Sequence, residues 1–238
     1  MKYSNVYVNA ETNVFDTGLR DYMYLIYKNM GISLLVSAIV AFIVGTNVAL
    51  LRFFFSNPLI ALIVQLSPLF FIFSFNRTIF TGKVEDAKTK LFLFAGLMGL
   101  SLSTIFAVYA RQDITSAFLV SASMFGGMSL YGYTTKKDLT SLRSFLMMGV
   151  IGLLSASLIN IFLRSSSMSF GISCIAVLIF TLHTAFDAQN LKNLHSFASV
   201  NEDYKERIAI MGALQLFLDF INIFTSVLHI MSSMNNRK

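Results

Sequence analysis

Six stretches of this chain, residues 29–51, 53–76, 91–110, 114–135, 144–163 and 165–186, contain no Asp, Glu, Lys or Arg. A seventh, 207–230, begins at Arg207 and carries one internal carboxylate, Asp219. Each supplies the roughly 20 residues that an α-helix needs to cross a hydrocarbon core of about 30 Å. Charged residues make up 13% of the chain, against roughly 25% in soluble domains. The expected fold is an all-α integral membrane protein, a seven-transmembrane-helix bundle. A formal charge of +6 could point to nucleic acid, but the basic residues sit in short loops between apolar runs, where membrane orientation explains them.

The chain divides into a polar N-terminal segment, 1–28, a membrane domain, 29–230, and a short C-terminal tail, 231–238. The first segment has no short apolar core after a basic start and no small-residue cleavage site, so it does not read as a signal peptide. Leu19, Met23 and Ile26 have helical spacing, which is compatible with an interfacial helix leading into the first span. Pro58 falls where a helix begins, at little cost. Pro68 falls inside the second span and should kink it there, freeing a backbone carbonyl one turn earlier. The pairs Gly99/Ser103, Ser123/Gly127 and Gly152/Ala156 have the small-xxx-small spacing that lets membrane helices approach closely. The single cysteine, Cys174, lies in an apolar run and cannot form an intrachain disulfide.

Orientation follows from the 18 Lys and Arg: thirteen fall on one side of the alternating loops and five on the other. With seven crossings this places the N-terminus in the cytoplasm and the C-terminus outside. With one crossing fewer, the far half flips.

The last run holds the chemistry. Gly212, Gln215, Asp219, Asn222, Ser226 and His229 recur at spacings of three and four, one face of a helix. Leu216, Phe217, Phe220, Ile221, Phe224 and Val227 fill the rest. Of the 12 Asp and Glu, ten sit in the N-terminal segment or loops; Asp187 and Asp219 lie in apolar surroundings. Orientation puts Asp187 at the cytoplasmic end of the sixth helix and Asp219 about 18 Å along the seventh from Arg207. Sequential helices are often neighbours, so the two carboxylates could meet. Arg77, at the cytoplasmic end of the second helix, could pair with either. Two such groups at close range in low dielectric cannot both ionise cheaply and share a proton; deprotonated, they form a hard oxygen site suited to Ca²⁺. Asp187 also has a plainer reading, as a helix-end residue among headgroups; for Asp219 the functional reading dominates. His183, four residues before Asp187 on the same face, either tunes the pair or is a histidine hydrogen-bonded inside the bundle. Gln215 and Asn222 flank Asp219 on the stripe and, like His183, could tune the pair. His229 lies near the outer surface and His195 in a loop.

Residues 216–224 read LFLDFINIF, 183–191 read HTAFDAQNL, and 135–146 read TKKDLTSLRSFL. These strings resemble the last two helices, and the stretch between the fourth and fifth, of the Bax inhibitor-1 family, including its bacterial members. The resemblance extends in helix order and loop length from about residue 57 onward. It implies a seven-helix bundle with the last helix at its centre, in agreement with the polar stripe. It also implies a pH-sensitive Ca²⁺ leak with a di-aspartyl sensor at Asp187 and Asp219, and a latch arginine at Arg77. The chain departs from the pattern in three places: one arginine where bacterial relatives can show a cluster, Phe186 where relatives often have Tyr, and His183 in place of what is often an aromatic.

Two functions follow. One is a passive pH-gated cation pathway, with protons and Ca²⁺ as its ligands and no cofactor. The other is a membrane interaction protein, the family being linked with cell-death suppression and with a membrane-bound protease. An intramembrane aspartyl protease would need GxGD at the second aspartate, where this chain has Phe217 and Leu218. HExxH, P-loop and serine-nucleophile signatures are absent, and no lysine between Arg207 and Arg237 could carry a Schiff base. The expected protein is not an enzyme. Its expected location is a bacterial inner membrane.

Overall fold

The structure, a computed structural model, describes the backbone of residues 2–81, 83–198 and 201–235, with side chains for 17–72, 83–196 and 201–235. The described residues are helical and form no strand. In chain order they are α1 (Lys2–Thr46), α2 (Val48–Phe55), α3 (Pro58–Thr81), α4 (Val84–Leu102), α5 (Ile105–Val108), α6 (Arg111–Thr134), a 3₁₀ turn (Thr140–Leu142), α7 (Arg143–Leu163), α8 (Ser166–Ala198) and α9 (Glu202–Asn235). Six segments are long and apolar enough to cross a membrane: Thr17–Thr46, Val84–Val108, Arg111–Thr134, Thr140–Leu163, Ser166–Ser196 and Glu202–Asn235. The second expected span is a bent pair, Val48–Phe55 and Pro58–Ile72, meeting at 92°. The bundle thus has six crossings, or seven if that pair counts as one.

The bend has a local cause. Asn47 caps α2, its side chain accepting from the N–H groups of Ala49 and Leu50, and the Asn57 side chain accepts from Leu59 N–H at the start of α3. Two side-chain caps ten residues apart make two helices where the apolar pattern implied one boundary. Pro58 opens α3, and Pro68 lies inside it. The carbonyl that Pro68 leaves without its helical donor is that of Val64, and the Ser67 hydroxyl donates to it at 2.8 Å. The sharp turn is therefore ahead of Pro58, and the interior proline is accommodated by its neighbour.

The N-terminal boundary also differs from the expectation. No break falls at Lys28: α1 runs unbroken through it. Tyr22, Met23 and Ile26 are core residues, 0–4% exposed, so the helical spacing of Leu19, Met23 and Ile26 marks a face packed inside the bundle rather than one lying on the membrane. At the other end α9 continues to Asn235, so most of the expected tail is helix.

α9 is the axis. In its most apolar 18-residue window 67% of residues are buried, against 11–39% in the other five spans. It packs against α1, α3, α4, α6 and α8. Ala209, Ile210, Ala213, Leu216, Phe217 and Ile223 are fully buried, with Phe94 edge-on to Phe217 and both Phe118 and Phe125 edge-on to Phe220. α7 is the opposite case, with 11% of its window buried and Ile151, Leu154, Leu158, Ile161 and Phe162 exposed to the surrounding lipid.

Of the three small-residue pairs, Gly99/Ser103 packs helix on helix. A Cβ on Gly99 would meet the Ser37 carbonyl of α1 at 2.4 Å, and Ser103 is fully buried. Gly127 and Gly152 have no atom within 4 Å of a would-be Cβ, and both face outward. On α6 the close face is one register over, at Ser121, Phe125, Ser129 and Gly132.

Candidate functional site

Asp187 on α8 and Asp219 on α9 meet inside the bundle. Their side chains are 0% and 5% exposed, and His183, one turn before Asp187, completes the group. His183 Nδ1 lies 3.2 Å from Asp187 Oδ2 and 3.3 Å from Asp219 Oδ1. One donor atom from each of the three lies within 4.8 Å of the others. Neither histidine approach has hydrogen-bond geometry: His183 Nδ1, both Asp187 oxygens and Asp219 Oδ2 are buried without a hydrogen-bond partner among the described residues. Buried polar atoms are normally paired, so three unpaired carboxylate oxygens together mark the place as unusual. If both carboxylates were ionised, their repulsion at no more than 4.8 Å and an effective dielectric of about 20 would be at least about 3.5 kcal/mol. A proton, a protonated His183 or a cation relieves it.

A cavity of about 410 Å³ opens beside the cluster. His183, Phe186, Asp187, Asn190 and Gln215 line it from α8 and α9, Thr140 from the 3₁₀ turn, and Arg143, Leu146 and Met147 from the start of α7. Asp219 lies behind His183 and Asp187. Of the two polar residues expected to flank Asp219, Gln215 reaches this cavity and Asn222 does not. Asn222, Ser226 and His229 are half-buried along the far part of the stripe, where the Tyr109 hydroxyl lies 3.4 Å from His229 Nδ1.

The placement of Asp187 corrects the sequence reading. It is not at a helix end: α8 continues to Ala198, eleven residues or about 16 Å further at 1.5 Å per residue. The polar extension is helical because one of its faces is packed. Leu191 is fully buried against α9, where a Cβ on Gly212 would meet its Cδ2 at 2.6 Å. His195 belongs to the same extension rather than to a loop; it is 3% exposed, with its ring 5.4 Å from that of Tyr22. Arg77 lies on the helical backbone of α3, but its side chain is outside the described residues.

Two residues of the site's surroundings escaped the sequence reading. Gln189 accepts the N–H of Leu139 at 2.8 Å and donates to the Lys137 carbonyl at 2.7 Å, clamping the α6–α7 connection to α8. Lys192 donates to the Tyr133 carbonyl at 2.8 Å and sits over the Tyr133 ring. Their only sequence signal was proximity to Asp187 in AFDAQNLK.

Comparison with known proteins agrees with this architecture. A family model described as inhibitor of apoptosis-promoting Bax1 matches residues 19–237. The Escherichia coli K12 inner membrane protein YbhL is 40% identical over 218 residues, 90% of this chain and 92% of that protein. An uncharacterised protein of Rickettsia prowazekii is 36% identical over 233 residues, covering 96% and 95%, and an uncharacterised membrane protein of Streptococcus pyogenes is 35% identical over 223, covering 90% and 93%. With a family match across nearly the whole chain and relatives of this identity aligned end to end, this multi-pass membrane protein belongs to the Bax inhibitor-1 family.

Proposed function

We propose that the protein is a passive, pH-sensitive pathway for Ca²⁺ or a similar cation, with Asp187 and Asp219 as its proton-responsive gate. The observation that carries this reading is the pair of buried carboxylates, in reach of one another and short of hydrogen-bond partners among the described residues, beside a cavity. A group of this kind changes its net charge when it takes or loses a proton, and a charge change inside a low-dielectric bundle biases one packing against another. The charged and titratable groups that face the pair are His183 from α8 and, across the cavity, Arg143 from α7. Arg77 of α3 is the proposed latch. As a resident Ca²⁺ site the cluster is short of oxygens, since Ca²⁺ takes six to eight and the third donor here is a nitrogen. A cation in transit keeps part of its water and makes no such demand.

The cavity opens at the end of the bundle that carries the α6–α7 and α8–α9 connections, the side rich in Lys and Arg. This reading takes α2 and α3 as one bent crossing, which gives seven and leaves the N-terminus cytoplasmic and the C-terminus outside.

The test is Ca²⁺ flux into liposomes holding the purified protein, from pH 5 to 8, for wild type and Asp219→Asn. The expected result is flux that titrates in the wild type and loses most of its pH dependence in the variant. An unchanged pH response in Asp219→Asn, or no flux above empty liposomes at any pH, overturns the proposal.

A further inference from the structure

We propose that His183, Asp187 and Asp219 form a binding site for a borderline-soft divalent transition metal of the Zn²⁺ type, distinct in chemistry from the Ca²⁺ that passes. The residues are those of the proposed gate, but the binding does not require that the gate conduct. Three observations carry it.

The first is the donor set. One imidazole nitrogen with two carboxylates is a mixed nitrogen–oxygen set of the sort zinc takes, whereas Ca²⁺ and Mg²⁺ take oxygen. The nitrogen comes from His183, an imidazole at a position where aromatic carbon would fill the same space.

The second is spacing. Bonds of about 2.0–2.1 Å in a tetrahedral shell put neighbouring donor atoms about 3.3 Å apart. The two edges that meet at His183 Nδ1 are 3.2 and 3.3 Å. The third, between the carboxylates, is at most 4.8 Å. Closing it to about 3.3 Å takes a rotation of the carboxylates about χ2, a soft torsion.

The third is the unpaired chemistry. Asp187 is fully buried and Asp219 nearly so, and their free oxygens and His183 Nδ1 lack hydrogen-bond partners among the described residues. A metal ion held by one donor from each residue takes His183 Nδ1 and one oxygen of each carboxylate. The cavity on the His183 side admits the ion and leaves a fourth position for water, so the arrangement is three protein ligands and one open place. A metal held there sits in the mouth of the proposed pathway and blocks it.

The test uses Zn²⁺ alone as the probe, in equilibrium dialysis against purified full-length protein in detergent, with Co²⁺ as a spectroscopic substitute. The expected result is one saturable Zn²⁺ per chain, weakened at least about 100-fold in both His183→Phe and Asp219→Asn and not displaced by a large excess of Ca²⁺. Co²⁺ should give the intense visible bands of four-coordination in the wild type. Absence of saturable Zn²⁺ in the wild type, or binding undiminished in His183→Phe, overturns the proposal. Should the variants fail to fold, the Co²⁺ spectrum of the wild type decides: four-coordinate bands support the site and their absence refutes it. Dialysis reads binding without flux, so a protein that binds Zn²⁺ but never leaks Ca²⁺ would refute the leak and leave the metal site standing.

Discussion

Gly132→Ala tests the packing that holds Asp187 in place. Gly132 is buried on α6 where that helix crosses α8, and a Cβ there would lie 2.1 Å from the carbonyl oxygen of Ala185, 2.8 Å from its carbonyl carbon and 2.9 Å from its Cα. Carbon and oxygen settle at about 3.3 Å or more, so the two helices must part by about 1.2 Å. No rotamer relieves this, because the obstacle is backbone. Overpacking of this kind costs about 1–3 kcal/mol, and the upper part of that range applies. The gain from replacing glycine by alanine in a helix offsets about 0.5–1 kcal/mol. The net loss is about 2 kcal/mol, and at about 2–4 °C per kcal/mol for a chain of this size Tm falls by about 4–8 °C.

The control is Gly126→Ala on the same helix. Gly126 is exposed and has nothing within 4 Å of a new Cβ, so the substitution should leave Tm unchanged or raise it slightly. Thermal unfolding can be followed with a thiol-reactive fluorophore, because the one cysteine, Cys174, is free and half-buried. If Gly132→Ala melts at or above Gly126→Ala, the close approach of α6 and α8 is not what the structure describes, and the placement of Asp187 two residues beyond Ala185 loses its support.

Two further substitutions probe the connection beside the cavity. Gln189→Ala removes both partners of the α6–α7 connection, Leu139 N–H and Lys137 C=O, and should cost about 1–3 kcal/mol; faster tryptic cleavage after Lys136 and Lys137 is the readout, and an unchanged rate would show that the clamp does not hold. Asp138, in the same connection, is held below the usual carboxylate range by hydrogen bonds from the hydroxyl and then the N–H of Thr140. Such a depressed group stabilises the turn above its unfolded pKa of about 4 and loses that effect only as pH falls through its lower folded value. It stays ionised from pH 5 to 8, so Asp138→Asn should leave the midpoint of the flux profile where it was, and a shifted midpoint would put part of the sensor in this connection.

Apolar run length was enough to read the bundle, because a helix in lipid has no alternative way to bond its backbone. The same signal misplaced helix ends. It stopped the sixth span at Phe186, before the first charged residue, although α8 continues to Ala198. A helix leaves the membrane without unwinding when its polar turns still have a face to bury, and Leu191 and His195 supply that face. The failure at Lys28 has the same cause: Tyr22 and Ile26 pack inside the bundle on a segment whose composition reads as aqueous. The bend at Ser56–Asn57 was visible as two asparagines and as Pro58 at a helix start, which a search for charge-free length passes over. At the site, one helical stripe and one isolated carboxylate located Asp219, but no spacing rule connects Gln189 to residue 139, fifty positions away.

The stripe on α9 explains why the site is where it is. A central helix has neighbours on all sides, so its apolar residues, Leu216, Phe217, Phe220 and Ile223, are buried as thoroughly as those of any soluble core. Of the stripe, Gln215 faces the cavity at α7, while Thr225, off the stripe, faces a second cavity of about 310 Å³ between α3, α4, α5 and α9. Asp219 sits between them, walled off from the first by His183 and Asp187. The walls differ in how firmly they are held. α8 approaches α9 closely at Leu191 on Gly212 and α6 at Ala185 on Gly132, where a Cβ on either glycine would force a neighbour to shift. α7 closes the cavity with Leu146 and Met147, packs against α8, and buries 11% of its apolar window. Under the proposed gating, a change of charge at the carboxylates would meet closely packed helices on the α8–α9 side and a less buried one on the α7 side, so α7 is the wall expected to yield.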